Sequence, residues 1–268
     1  MNNDKKWNIL FQFIMISALC MIITISPISI GSVDLISFKF NQALQASKGG
    51  DFTKAVLIWN QILEDSPQNA AAWSNRGNVR LFLGDAEGAI ADQNEAIDIL
   101  PNEIDPYLNR GMAEEYLKNW EDAEKDYQWI LTQDNNHPQA LYNLGNIRGS
   151  QGNWSKAETF FKKASIAKPN FAMARSSQAL ANYQLGNLSQ AETDLRNVIR
   201  KYPLFADSRA ALSALLWKKG FSGEAESNWA AVAGLDNRYK SKEWLIEIRR
   251  WPPDPASDLM NFLSLKSK

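Results

Sequence analysis

Residues 139–170 read QALYNLGNIRGSQGNWSKAETFFKKASIAKPN, and their reading decides the fold. Leu141, Leu144, Gly145 and Ile147 recur at helical spacing, and Gly152-Asn153 interrupts the pattern. Ala157, Phe160, Phe161 and Ala164 resume it, and Pro169 ends it. The stretch is a helix, a turn and a second helix. Two helices of this length bury little apolar surface alone, so the unit needs neighbours. A 34-residue step finds them. From Ala157 it gives Ala55, Ala89, Ala123, Ala191 and Ala225; from Gly152 it gives Gly50, Gly84, Lys118, Gly186 and Gly220. From Pro169 it gives Pro67, Pro101, Asn135, Pro203 and Asn237. Three positions share one register without insertion, which predicts a stacked helical array.

On these residues the chain resembles the tetratricopeptide repeat family, whose unit is a 34-residue helical hairpin. The repeats fall at 36–69, 70–103, 104–137, 138–171, 172–205 and 206–239. The family's small position 8 is Ala43, Gly77, Gly111, Gly145, Ala179 and Ser213, and position 20 is the alanine series. Its bulky position 24 is Trp59, Gln93, Tyr127, Phe161, Leu195 and Trp229. Gln93, Lys118, Asn135 and Asn237 depart from the pattern without breaking the period. The resemblance implies an all-α fold, a right-handed α-solenoid of six helix-turn-helix repeats. It says little about function, because such folds serve many partners.

Outside the repeats, residues 9–25 read ILFQFIMISALCMIITI, uncharged, after Lys5 and Lys6. The expectation is a membrane anchor over 9–30, with residues 1–8 cytoplasmic and a short linker at 31–35. The protein is then single-pass, its repeats periplasmic or thylakoid-lumenal. A cleaved signal peptide with secretion is the alternative, although no A-x-A site appears; a buried helix is a third. Repeat 1 has Lys39 and Gln42 where larger apolar groups are usual, as a terminal cap would. At the other end, RYKSKEWLIEIRR (238–250) places Tyr239, Trp244, Leu245 and Ile248 on one stripe. It reads as a capping helix, with capping helix and tail over 240–268; a membrane-surface helix is the alternative. Trp251-Pro252-Pro253 stops it, and Leu259, Phe262 and Leu263 form a last apolar stripe. The RYK…RRWPP ending is similar to tails on cyanobacterial and chloroplast tetratricopeptide proteins, which implies photosynthetic complex assembly.

Composition excludes several functions. Net charge is −1, so no electrostatic footprint for nucleic acid or acidic substrates exists. The single histidine, His137, and single cysteine, Cys20, cannot build a His/Cys metal site or a nucleophile–base pair. The glycines are turn glycines on the repeat step, not a phosphate loop. No catalytic residue, metal, cofactor or small-molecule substrate is expected, and the protein is read as no enzyme. A hidden cleft with paired carboxylates would revive that class. Charge also repeats internally: Arg76 and Arg110 at position 7 accompany Asp92 and Asp126 at position 23. They are read as structural ion pairs, with a positive binding spot as the alternative.

The expected function is a protein-interaction scaffold or assembly factor. It would bind a peptide segment of a membrane-associated client in the groove that the family lines with positions 2, 5, 6, 9, 12 and 13 of each first helix. Position 6 gives Asn41, Asn75, Asn109 and Asn143, and position 9 adds Asn78 and Asn146. Asparagine is a mediocre helix former whose amide both donates and accepts, which suits an extended peptide backbone. Tyr116, Tyr142, Tyr183, Phe82 and Trp217 surround this ladder. The rival reading is a permanent structural subunit of a membrane complex.

Overall fold

The computed structural model describes residues 30–266, and these carry thirteen α-helices and no strand. The chain divides into two compact units, Met1–Ile130 and Leu131–Lys268. Unit 1 holds α1 (Ile30–Lys48), α2 (Phe52–Asp65), α3 (Ala70–Phe82), α4 (Ala86–Ile99), α5 (Ile104–Tyr116) and most of α6 (Trp120–Gln133). Unit 2 holds α7 (Pro138–Ser150), α8 (Trp154–Ala167), α9 (Ala172–Gln184), α10 (Leu188–Lys201), α11 (Ala206–Lys218), α12 (Ser222–Leu235) and α13 (Pro253–Lys266). First helices start at Ala70, Ile104, Pro138, Ala172 and Ala206, one every 34 residues. In unit 1 the helices from α1 to α5 pack each on the next, as do those from α7 to α12 in unit 2, and first helices of adjacent repeats also touch, α3 on α5 and α9 on α11.

The repeat positions explain the packing. Each position-20 alanine from Ala55 to Ala225 is buried. Position 8 must be small because position 24 fills its space: a Cβ on Gly111 would lie 2.6 Å from Tyr127, and one on Gly145 2.5 Å from Phe161. Gln93 follows the same rule, since a Cβ on Gly77 would meet its Nε2 at 2.6 Å. That Nε2 donates to the Ser74 carbonyl at 2.9 Å, which lets a polar residue occupy a core position. Gly111→Ala is therefore expected to cost about 1–3 kcal/mol by overpacking. Denaturant melting checks this against Gly223→Ala, whose Cβ would meet nothing within 4 Å and should cost nothing.

The turns follow the same register. Gly50, Gly84, Gly152, Gly186 and Gly220 all have positive φ, and Lys118 adopts the same left-handed conformation at φ 63°. A side chain there is strained by about 1–2 kcal/mol. Lys118→Gly is expected to stabilise unit 1 by about 1 kcal/mol, read from its denaturant midpoint. His137 also has a local role: its Nδ1 accepts from the Ala140 amide at 3.2 Å, capping α7.

Two expectations for the N-terminal region change. The linker at 31–35 is helical, because α1 begins at Ile30 and runs into repeat 1 without a break. The single-pass membrane assignment is corrected: among the described residues no helix is long and apolar enough to cross a membrane. The 13- and 14-residue helices are about 20 Å long, short of a bilayer's hydrocarbon core. The longest, α1, contains Asp34, Lys39 and Lys48. Residues 9–25, Cys20 and the anchor reading of them lie outside the described residues.

The tail also differs from its expectation. Residues 238–250 do not form one helix. A 3₁₀ turn at Asn237–Lys240 is followed by a π-helical turn at Trp244–Ile248, then by Arg250 at φ 55°. The regular helix is α13, which starts at Pro253 instead of ending at the prolines. A continuous α-helix would set residues 239 and 249 about 15 Å apart along its axis. Here both reach one carboxylate.

Candidate functional site

That carboxylate is Asp207, at the start of α11 and 2% exposed. Tyr239 donates its hydroxyl to Oδ1 at 3.1 Å, Trp251 its Nε1–H at 2.9 Å, and Arg249 its Nε–H at 3.1 Å. Ser176 on α9 donates to Oδ2 at 2.7 Å, and Ser208 donates to Ser176 at 3.0 Å. The tyrosine, arginine and tryptophan of the RYK…RRWPP ending thus converge on one buried acid and tie the tail to repeats 5 and 6. Burial and the Asp207 charge push the Tyr239 hydroxyl well above the usual tyrosine range, so it stays a donor.

Beyond this hub, α13 lies on the first helices of repeats 5 and 6, packed against α11 and α9. Ala256, Leu259 and Phe262 are buried there with Leu180, Leu212 and Leu215. Tyr183 and Lys218 both donate to Asp258 on α13, at 3.0 and 2.8 Å, and Gln184 accepts from the Asp254 amide at 2.8 Å. Tyr183 is 2% exposed, and burial, then Asp258, raises its hydroxyl pKa. Trp217 packs on the same cluster. Of the expected peptide contacts, Tyr183 is therefore covered by the chain's own helix, and Trp217 is half-buried against the same core. The cap sits on the face proposed for a client.

The asparagine ladder is also changed. Asn109 and Asn143 are buried at 9% and 8% exposure, and Asn109 donates to Ser74 Oγ across α5 and α3 at 3.2 Å. They are packing residues because the first helices lie close enough to cover position 6. Asn75 donates back to the Ala71 carbonyl at 2.7 Å, and Asn78 accepts from Gln93 at 3.4 Å. Asn41 is exposed on α1, and Asn146 is half-buried on α7. Tyr142 packs against Phe161 and Phe171, with ring centroids 5.5 and 5.1 Å away; burial raises its hydroxyl pKa. Phe82 stacks on Phe52 at 5.2 Å, and Tyr116 is 39% exposed beside the turn at Gly84. In unit 1, then, Asn75, Asn78, Phe82 and Tyr116 share the packed pair α3 and α5 and stay accessible.

The charged positions are clamps. Arg76 donates Nε and Nη2 to Asp92 at 2.8 and 2.7 Å, and Arg110 does the same to Asp126 at 2.9 and 2.6 Å. Each arginine's Nη1 also reaches an asparagine of the preceding repeat, Asn60 at 2.7 Å and Asn94 at 2.6 Å. The structural reading of these pairs holds, and it extends to a tie between repeats. The sequence did not show a second tie at position 4. Trp73, Tyr107, Arg175 and Arg209 each donate to the carbonyl six residues upstream, on Pro67, Pro101, Pro169 and Pro203. Among the described residues no group of three or more His, Cys, Asp or Glu could hold a metal ion.

Comparison with known proteins agrees with this architecture. A curated relative, tetratricopeptide repeat protein 36 of Danio rerio, is 35% identical over 51 residues, 19% of this chain. The match spans only about a quarter of that relative's length (27%). Among solved structures, the Cut9-Hcn1 hetero-tetramer of the APC/C matches with TM-score 0.69 at 18% identity, over 84% of this chain and 42% of that one. A tetratricopeptide repeat protein from Parabacteroides merdae matches with TM-score 0.62 at 20% identity, over 86% and 93%. YrrB matches with TM-score 0.52 at 17% identity, over 78% and 98%. Two family models, both described as tetratricopeptide repeat, match residues 40–104 with 108–170, and residues 177–204. Together they cover more than half of the sequence, and the chain belongs to the tetratricopeptide repeat family.

Proposed function

We propose that the protein is a non-catalytic interaction scaffold or assembly factor that holds a polypeptide segment on the first-helix face of unit 1. One observation supports this reading: in unit 2 the same face is already covered by a polypeptide, α13, while among the described residues no such helix covers the face of α3 and α5. A first-helix face that accepts an amphipathic helix in cis shows the recognition chemistry such a face offers, apolar contact with a few hydrogen bonds. In unit 1 the contacts would be Asn75 and Asn78 for backbone and Phe82 and Tyr116 for apolar groups. YrrB is itself described as a repeat protein with a peptide-binding site, which supports a polypeptide client. The client class implied by the tail resemblance, a subunit of a photosynthetic complex, is the finer form of this proposal.

Photo-crosslinking tests it. A benzophenone side chain at position 116 should capture a discrete client in native extract, and Asn75→Ala with Asn78→Ala should remove that band while melting as wild type. Equal capture from position 204, where exposed Leu204 lies in unit 2, would point elsewhere.

A further inference from the structure

Repeat 5 lacks the arginine clamp. Asp194 occupies position 23, the place of Asp92 and Asp126, but position 7 is Gln178. Gln178 turns to Glu158 Oε1 at 3.1 Å and Ser165 Oγ at 3.2 Å instead. Asp194 Oδ1 accepts from Gln190 at 2.9 Å, while Oδ2 is buried with no hydrogen-bond partner. Burial pushes this carboxyl's pKa up. Alongside lies a cleft of about 510 Å³ lined by residues of α9 and α10, with Arg175, Arg200 and Lys201 on its wall.

These three cations differ from the carboxylate-paired arginines of the repeats, and Arg209, bonded to the Pro203 carbonyl and Asn228, shares their state. Arg76, Arg110 and Arg196 each meet a carboxylate within 3 Å. Arg175 donates Nε to the Pro169 carbonyl, Arg200 donates Nη2 to Asn197, and Lys201 lies 5.4 Å from the Tyr202 ring centroid. Among the described residues none of the three is paired with a carboxylate. Asp194 lines the cleft with these three cations and Glu158 lies near it, so its surroundings carry more positive than negative charge in a chain whose net charge is −1. Arginine forks suit carboxylates, and the Asn197 amide suits a peptide backbone. The cations sit in one cleft instead of a row, so a nucleic acid would place only one phosphate there.

We propose that this cleft binds an acidic polypeptide segment, its carboxylates held by Arg175, Arg200 and Lys201. The site lies in unit 2 and is independent of the unit 1 face.

The probe is a fluorescein-labelled hexaglutamate peptide, followed by anisotropy with the full chain. Saturable binding is expected, weakened about ten-fold or more by Arg200→Gln with Lys201→Gln and weakened again by salt. Both residues are helical, and unchanged melting of the double variant checks its fold. A second variant, Gln178→Arg, should pair with Asp194, fill the cleft, melt at a higher temperature and lose the peptide. Absence of saturable binding, or equal binding by the folded double variant, would overturn the proposal. So would displacement by inorganic phosphate at the peptide's own concentration, which marks a site for small anions only.

Discussion

An Asp207→Ala protein is expected to lose about 3–5 kcal/mol of unit 2's stability, the cost of leaving a buried charge without its partner. Asp207 and Arg249 are 2% and 8% exposed at the side chain, so water cannot replace the lost contact. Tyr239 and Trp251 would lose their acceptor at the same time. Asp207→Asn should fall less far, since it keeps the shape and one acceptor. Pairing Asp207→Ala with Arg249→Met should recover part of the loss, because an apolar replacement removes the stranded charge. Thermal melting checks the series; an Asp207→Ala midpoint equal to wild type would mean that the hub does not hold the tail.

Removing residues 240–268 should have the larger effect. The deletion takes away Leu245, Trp251, Leu259 and Phe262, all buried in the unit 2 core. At about 2 kcal/mol for each such side chain the loss is roughly 8 kcal/mol, comparable to the whole stability of a small domain. It also strands Asp207 and uncovers Leu180, Tyr183, Leu212 and Leu215. The truncated protein is expected to aggregate, or to melt far below wild type and bind an apolar dye. A soluble truncation with unchanged melting would show that α13 is an accessory to the fold.

The repeat register was legible because hairpin packing recurs. Small residues at positions 8 and 20 face bulky ones at 24, and each recurrence lies 34 residues on, where the structure puts the next helix. The ion pairs were legible for the same reason, since both charges appear together in repeats 2 and 3. The tail was not. Its periodicity over 238–250 fits a helix, but one buried acid 32 residues upstream of Tyr239 overrides local preference. The signal was present in ADSRAALSALLWK, where a lone aspartate in an alanine- and leucine-rich helix needs a partner. The groove residues were half legible. The repeat pattern places a residue on a face, but whether α13 or a neighbouring helix covers that face depends on distant parts of the chain.

Hydrogen exchange tests the central claim most directly, that unit 1 offers a polypeptide-binding face while unit 2's is occupied in cis. A tight-binding peptide selected from a library on the full chain would be added, and backbone exchange compared with and without it. The account predicts slowed exchange within residues 70–82 and 104–117, lost with Phe82→Ala and Tyr116→Ala, and no release of α13. Slowed exchange confined to α9 and α11, with α13 exchanging faster, would contradict it and make the tail helix the competitor that a client displaces.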